Sequence, residues 1–202
     1  MDIKTSLFTG EQICLAPIDL DKDAEIEAIW TQNAEYMRQL NLEPARPLSP
    51  EQVKKRYTEI EKEADEKKNL FYFTIRLRSD DQLIGFARIY WIGWTSGFGL
   101  VQLGIGDSTQ RGKGYGTQAL SLLLRYAFAE LNLHSLAADI PEYNLAATRL
   151  FQNAGFVEET RQRQAVYREG RRWDLIFFGI LKDEWSKRNG RHLSRRTGPS
   201  WQ

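Results

Sequence analysis

The stretch DSTQRGKGYGTQAL, residues 107–120, places three glycines at alternate positions directly before an apolar run. Apolar residues in that run recur at alternating spacings of one and three, which predicts one face of an amphipathic helix. They are Ala119, Leu120, Leu123, Leu124, Ala127, Phe128 and Leu131. The segment 98–105 before the glycines is typical of a strand. The glycines therefore lie where a strand ends and a helix begins.

A junction between a strand end and a helix start favours the binding of an anion. The first N–H groups of a helix lack intrahelical partners, and the helix dipole is positive at that end. Gly112, Gly114 and Gly116 leave these amides free of side chains, and Arg111 and Lys113 add positive charge beside them. We therefore predict a ligand that carries a di- or polyphosphate.

Two nucleotide motifs can be compared with this loop. A P-loop is excluded, because Lys113 is followed by glycine instead of serine or threonine and position 107 is an aspartate. The dinucleotide fingerprint does match, as Gly114-x-Gly116-x-x-Ala119, with Asp139 about 25 residues further on. A stretch of polar and glycine residues separates Ile105 from the loop, which counts against this motif. An NAD-binding oxidoreductase stays open as an alternative.

Composition and charge narrow the class of protein. The chain has 202 residues and a net charge of +1, so it suits one substantial core and disfavours binding to nucleic acid or a ribosome. Cys14 is the single cysteine and cannot form an internal disulfide. The N-terminal segment lacks a signal-peptide pattern, and no apolar run approaches the about 18 residues of a membrane span. We expect a cytoplasmic protein.

The remaining segments alternate between strand-like and helix-like patterns. Strands are expected at 12–18, 70–77, 82–92, 135–140, 156–168 and 171–181, and further helices at 19–32, 49–68 and 144–156. Ser49, Pro50 and Gln52 form a helix-start pattern, and Gly155 a helix-end pattern. We predict one domain over residues 1–185, followed by a mobile basic tail at 186–202 that contains Lys187, Arg188, Arg191, Arg195 and Arg196.

With these elements in place, the chain resembles the GNAT superfamily of acetyl-CoA-dependent N-acetyltransferases from residue 11 to about 185. The run Arg111-Gly-Lys-Gly-Tyr-Gly is similar to the family's loop for the coenzyme A pyrophosphate. Asn144-x-x-Ala147, with Gly155-Phe156 behind it, is similar to the second signature, whose asparagine contacts the pantetheine arm. The closing pattern, Tyr167-x-x-Gly170-x-x-x-Asp174 and then Gly179 to Trp185, resembles the branch that acetylates ribosomal-protein N termini and polyamines.

The resemblance implies an α/β fold with a mixed, largely antiparallel sheet flanked by helices. It implies transfer of acetyl from acetyl-CoA to a primary amine of a peptide N terminus, polyamine, amino acid or other small molecule. Backbone groups of Gly104, Ile105 and Gly106 would meet the pantetheine and thioester where the sheet splays. The phosphates would be held by the amides of Gly112, Lys113, Gly114, Tyr115, Gly116 and Thr117. A homodimer stays open.

The chemistry also needs a base, because an amine must lose a proton to attack a thioester. Asp139 lies five residues before Asn144, where related ribosomal-protein acetyltransferases carry a glutamate base. In many relatives a tyrosine seven residues after the asparagine serves as the general acid, but here that position is Phe151, whose ring cannot donate a proton. Phe151 is expected to pack between helix and sheet. Tyr143 or water remains as the proton donor. A non-catalytic coenzyme A-binding module is therefore a second alternative.

Other side chains have simpler interpretations. His134 and His192 are too few and too isolated for a metal site, so no metal is expected. The aromatic residues of the strands 70–77 and 82–92 are expected in the core, although Trp91 or Trp94 could line an acceptor pocket. The acceptor pocket itself is expected from residues 31–48 and 91–98, which show the least pattern. The acceptor therefore stays unnamed.

Overall fold

A computed structural model of the chain describes residues 6–194, with side chains through Arg188. Within that range one mixed sheet has the strand order β1-β2-β3-β4-β5-β7-β6. The strands are β1 (Ile13–Ala16), β2 (Phe71–Leu77), β3 (Leu83–Gly93), β4 (Phe98–Ile105), β5 (Ser135–Pro141), β6 (Val157–Arg168) and β7 (Arg171–Leu181). Neighbours are antiparallel except for the parallel pair β4–β5. The predicted α/β fold with a largely antiparallel sheet is confirmed.

The helices of the described range include the four predicted ones and two others, at 34–40 and 182–194. They are α1 (Lys22–Thr31), α2 (Ala34–Leu40), α3 (Pro50–Lys67), α4 (Tyr115–Arg125), α5 (Leu145–Ala154) and α6 (Lys182–Ser194). Helix α2 was missed, because segment 31–48 has no apolar period. The predicted domain boundary at 185/186 falls inside α6, which runs to Ser194. Arg195 and Arg196 lie outside the described residues.

Helix α4 carries the main core of the protein. Its apolar face is buried as predicted, and a π-helical turn at Tyr126–Glu130 extends that face to Phe128. Because these side chains pack against the sheet, α4 and the glycine loop that precedes it are held firmly at the end of β4. The packing of α4 therefore positions the loop.

Helix α1 buries a different face from the one its apolar residues indicate. Ile26, Ile29 and Trp30 have helical spacing in this segment, and of these Trp30 is buried, Ile26 is half-buried and Ile29 is 65% exposed. Asp23 and Glu27 are buried instead. Both carboxylates are compensated by arginines from other elements, which is the condition for burying a charge. The pattern was misleading here because only tertiary contacts show that these charges have partners.

The sheet opens between β4 and β5. Their ladder joins residues 98–100 to residues 135–137, and beyond Leu100 the described strands no longer pair with each other. Strand β4 continues alongside β3 as far as Ile105, and β5 continues alongside β7 to Pro141. The two strands thus diverge into a wedge just before the glycine loop, as the family resemblance implied.

Candidate active site in the wedge between β4 and β5

A cavity of about 590 Å³ occupies the mouth of the wedge. It lies between the end of β4, the glycine loop, the C-terminal part of α2 and the first turns of α5. The structure brings many of the predicted coenzyme residues together in its lining: Gly104, Ile105, Arg111, Gly112, Gly114, Tyr115, Gly116, Thr117, Asn144 and Ala147. Residues far apart in sequence thus form a single cleft.

The glycine loop has the backbone geometry of an anion site. Gly112 and Gly114 have φ values of +75° and +86°, in the left-handed region that favours glycine. A Cβ at either position would have no described atom within 4 Å, so the space above the backbone is open. Gly114 is the N-cap of α4 and supplies no side-chain acceptor. The first amides of α4 are therefore free to bind a ligand.

The two cations of the loop have different positions. Arg111 lines the cleft, and its Nε and Nη2 donate to the carbonyl oxygens of Ile105 and Gly106 at 3.0 and 3.3 Å. Its guanidinium therefore fastens the loop to the end of β4 while it adds charge to the cleft. Lys113 is outside the lining, and its Nζ donates to Gln110 Oε1 at 2.9 Å. The structure thus assigns Arg111, and not Lys113, to the cleft wall.

Gly106 has a structural neighbour that the sequence did not indicate. A Cβ at this position would lie 2.1 Å from the indole of Trp30, and the residue is not part of the cleft lining. The missing side chain makes room for Trp30 of α1. The sequence placed this glycine beside the coenzyme because it could not show which part of the chain approaches the strand.

Asn144 joins two walls of the cleft. Its Oδ1 caps α5 by accepting from the Ala147 N–H at 3.0 Å, and its Nδ2 donates to the Gln39 carbonyl at 3.1 Å. Phe151, about two turns further along α5, is buried and packs edge-on against Phe156. As expected, its ring fills the space between helix and sheet.

Asp139 lies on β5 at the inner end of the wedge. It borders a small recess of about 50 Å³, together with Leu103 and Asn144, which also line the larger cavity. Burial raises the pKa of Tyr90, and the negative charge of Asp139 beside the hydroxyl raises it further. The half-buried Asp139 carboxylate thus lies close to the cleft and beside the Tyr90 hydroxyl.

Tyr143 lies elsewhere. Its hydroxyl donates to the Arg38 carbonyl at 2.8 Å, and its ring packs against Trp173 in a separate cavity of about 330 Å³. Burial raises the pKa of this tyrosine. The structure does not bring Tyr143 into the cleft, although its sequence neighbour Asn144 is there, because the chain turns between the two residues. Trp91, 71% exposed, and Trp94 line none of the cavities described here.

The cleft also contains residues of the segment 31–48, from which the acceptor pocket was expected, that the sequence did not single out. Tyr36, Gln39 and Leu40 of α2 form the wall opposite α5. The one available signal was Asn33, whose side chain accepts from the Tyr36 N–H at 3.0 Å and caps the helix. A seven-residue helix gives too short an apolar pattern for the sequence to show which way its side chains face.

Across residues 6–188, where side chains are described, His, Cys, Asp and Glu form no group of three or more that could hold a metal ion. The helices within residues 6–194 include none with the length and apolar character needed to cross a membrane.

Comparison with known proteins identifies the class. The model of the acetyltransferase (GNAT) domain matches residues 12–157, and the chain belongs to this family. The protein named "Probable N-acetyltransferase YjcK" of Bacillus subtilis is 31% identical over 183 residues, which cover 88% of this chain and 98% of that protein. The spermidine N(1)-acetyltransferase of Vibrio cholerae is 29% identical over 53% of this chain and 61% of its own.

The fold agrees with this assignment. The crystal structure of spermidine N-acetyltransferase from Vibrio cholerae, in complex with CoA and spermine, has a TM-score of 0.76 at 22% identity and covers 87% of this chain and 99% of that one. The chain is therefore an N-acetyltransferase that transfers an acetyl group to an amine. The family match does not support the NAD-binding alternative.

Proposed function

We propose that the cleft binds acetyl-CoA and that the chain transfers its acetyl group to a primary amine. The observation that carries this proposal is the meeting of three features in one cavity: the open edge of β4, the glycine loop and the Asn144 cap. Each feature suits a different part of the coenzyme. The solved neighbour with bound CoA supports the same use of the fold.

The phosphates are assigned to the start of α4. The residues there are Gly112, Gly114 and the first turn from Tyr115 to Thr117, with the Arg111 guanidinium beside them. Free amides, the positive helix end and a fixed cation all favour a pyrophosphate. This site relies on backbone geometry, which explains why glycines are needed.

The pantetheine arm is assigned to the edge of β4 that faces β5. Beyond Leu100 this edge has no ladder partner in the described sheet, so its peptide groups are available to an extended amide chain. Leu103, Gly104 and Ile105 line the cavity along this edge. The arm would thus be bound in place of the missing strand contacts.

Asp139 is proposed as the base that removes a proton from the acceptor amine. It is the carboxylate that borders the inner recess of the wedge, where the thioester end of the arm would arrive. We expect Asp139→Asn to lower kcat by about 10²–10⁴-fold, since general base catalysis has that magnitude. The affinity for coenzyme A, measured by calorimetry, should stay unchanged. Wild-type kcat in this variant would assign the proton to a water relay instead.

The acceptor is proposed to be a small primary amine. The polyamine acetyltransferases among the relatives and solved neighbours favour this class of acceptor. Peptide N termini and amino acids are the other candidate acceptors. A screen that measures thiol release from acetyl-CoA across these amines tests the activity. Binding of acetyl-CoA without thiol release from any amine would favour the non-catalytic module. The single cysteine, Cys14, supports a reducing compartment, for which we propose the cytoplasm.

Two glycines allow a matched test of the cleft. Gly114 and Gly170 both have φ near +80° and open space around a Cβ, but Gly170 lies in the β6–β7 turn, outside the cleft. Gly114→Leu and Gly170→Leu share the backbone strain of about 1–2 kcal/mol. We expect the first to abolish coenzyme A binding in calorimetry and the second to retain it. Equal affinities in the two variants would mean that the loop does not hold the phosphates.

A further inference from the structure

Tyr36 presents a buried hydroxyl at the cleft without a hydrogen-bond partner. The side chain lines the cavity from α2 and is 4% exposed. None of the described residues supplies a donor or acceptor to its Oη. A buried hydroxyl left unpaired costs about 1–3 kcal/mol, so a bound molecule that pairs with it gains this free energy. Because Tyr36 lines the cavity, the molecule that would pair with its hydroxyl is the ligand of the cleft.

The hydroxyl lies against β4 where the strand borders the wedge. A Cβ placed on Gly104 would be 3.2 Å from the Tyr36 oxygen, so the absence of a side chain at Gly104 lets the phenol approach the strand. Gly104 also lines the cavity, on the edge assigned above to the thioester arm. The oxygen is therefore next to the segment along which the acetyl end would lie.

The Tyr36 ring is held in this orientation by a cation–π contact and by an aromatic contact. The Arg111 guanidinium lies over it at 5.3 Å from the ring centroid, and the Trp30 indole packs edge-on at 6.3 Å. Arg111 is itself fastened to the carbonyls at the end of β4. The phenol is thus preorganised, which is what a donor needs in order to stabilise developing charge.

The other tyrosines near the cleft differ from Tyr36. Tyr115 also lines the cavity but is only half-buried, and among the described residues no other fully buried tyrosine hydroxyl is without a partner. Phe151 has no hydroxyl, the Tyr143 hydroxyl is engaged by the Arg38 carbonyl, and the Tyr90 hydroxyl is beside the Asp139 carboxylate. Burial also raises the pKa of Tyr36 well above its usual range, and the charge of Glu27 raises it further. Tyr36 is therefore held in its protonated form, in which it can donate.

We infer that Tyr36 is a catalytic residue whose hydroxyl donates a hydrogen bond to the carbonyl oxygen of the thioester. The inference rests on the proposed function. As the amine nitrogen bonds to the acetyl carbon, that oxygen gains negative charge and the hydrogen bond strengthens. The C–S bond then breaks with its electron pair on sulfur, and the amine proton passes to Asp139. Tyr36 keeps its proton throughout, and solvent protonates the thiolate.

The test compares Tyr36→Phe with Tyr126→Phe. Tyr126 is a buried tyrosine that packs among Phe8, Phe71 and Phe73, away from the cleft. With an amine from the screen, we expect Tyr36→Phe to lower kcat by about 10²–10³-fold, as loss of one donor to an oxyanion does. Tyr126→Phe should leave kcat unchanged. Wild-type kcat in Tyr36→Phe would overturn the inference.

A second measurement separates catalysis from folding. Removal of an unpaired buried hydroxyl leaves no donor unsatisfied, so Tyr36→Phe should melt at the same temperature as the wild type or higher when no coenzyme is present. A lower melting temperature together with the fall in kcat would assign Tyr36 a structural role and would contradict the inference.

A binding measurement tests Tyr36 even when no amine is turned over. Calorimetry should show that the wild type binds acetyl-CoA more tightly than CoA, and that Tyr36→Phe binds both equally. Failure of the proposed function appears differently, as a wild type that releases no thiol with any amine. If acetyl-CoA keeps its advantage over CoA in Tyr36→Phe, the hydroxyl does not contact the carbonyl.

Discussion

The two walls of the cleft are built in different ways. The wall formed by the end of β4 and the start of α4 presents backbone: left-handed glycines, free amides and an unpaired strand edge. The opposite wall presents side chains of α2, and α1 lies behind it, with Trp30 packed against Tyr36. In this α1–α2 wall, α1 buries two carboxylates that are paired with arginines. The sequence predicted the residues of the first wall, but for the second it indicated only that the segment 31–48 helps to form a pocket.

The difference follows from what each wall requires. A bare, positively charged helix start is encoded locally, by glycines before an apolar helix, and needs no distant partner. The α1–α2 wall depends on pairs that are far apart in sequence. Arg76 Nη2 donates to Asp23 at 2.5 Å, and the carboxylate of Glu27 accepts from Arg56 and the Tyr57 hydroxyl. A charged residue in a sequence does not show whether such a partner exists.

The largest effect is expected from the pair Asp23 and Arg76. Both side chains are buried, so Arg76→Leu leaves a carboxylate without its cation. We expect a loss of about 3–5 kcal/mol in the free energy of unfolding, measured in urea. Arg163→Leu, at an exposed position of β6, should change it by less than about 0.5 kcal/mol.

One result would contradict the prediction for the pair of Asp23 and Arg76. A loss in Arg76→Leu no larger than that in the Arg163 control would mean that the buried pair does not support the α1 wall. Asp23→Leu combined with Arg76→Met should recover most of the loss, because apolar residues can replace a buried pair. The double variant therefore distinguishes loss of the pair from loss of the arginine alone.

The next effect is a fall in stability at alkaline pH. Burial, followed by the charge of Glu27, raises the pKa of Tyr36, Tyr57 and Tyr72, which lie around the α1–α2 wall. Above about pH 10 the unfolded chain loses these protons while the folded chain keeps them. The free energy of unfolding should therefore decrease as pH rises, by up to about 1.4 kcal/mol per pH unit for each tyrosine.

Urea unfolding at pH 9, 10 and 11 measures this slope. Tyr72→Phe removes one of the three hydroxyls and should make the decrease shallower by the share of one tyrosine. A free energy of unfolding that stays level from pH 9 to pH 11 would show that these hydroxyls ionise equally in the folded and unfolded chain.

The smallest effect concerns the start of α3, the helix that packs on α1 and whose N-terminal cap the sequence predicted. Ser49 accepts from the Gln52 N–H, and the Gln52 side chain accepts from the Ser49 N–H, so α3 begins with a complete capping box. Ser49→Ala should lower the free energy of unfolding by about 1 kcal/mol. Ser121→Ala, at an exposed position inside α4, should not lower it. Equal losses would contradict the role of the cap.

The same contrast explains which site residues were predictable. The positions of Gly112 and Gly114 follow from local rules for helix starts, that of Asn144 follows from the family resemblance, and the structure brings all three to one cleft. Gly106 and Tyr143 are neighbours of site residues in sequence, but their own environments are set by Trp30 and the Arg38 carbonyl. Tyr36 lies in the segment 31–48, from which the acceptor pocket was expected, but that segment has no periodicity, so the sequence did not single out Tyr36.

By itself, the sequence determined the strands, the helices α1, α3, α4 and α5, the apolar face of α4 and the anion-binding start of that helix. These depend on periodicity and on glycine conformation, which act over a few neighbouring residues. Only the tertiary structure decided how far β4 and β5 pair, which charges α1 buries and that the Tyr36 hydroxyl borders the cleft. Those features arise from contacts between residues distant in sequence, whose free energies exist only once the chain has folded.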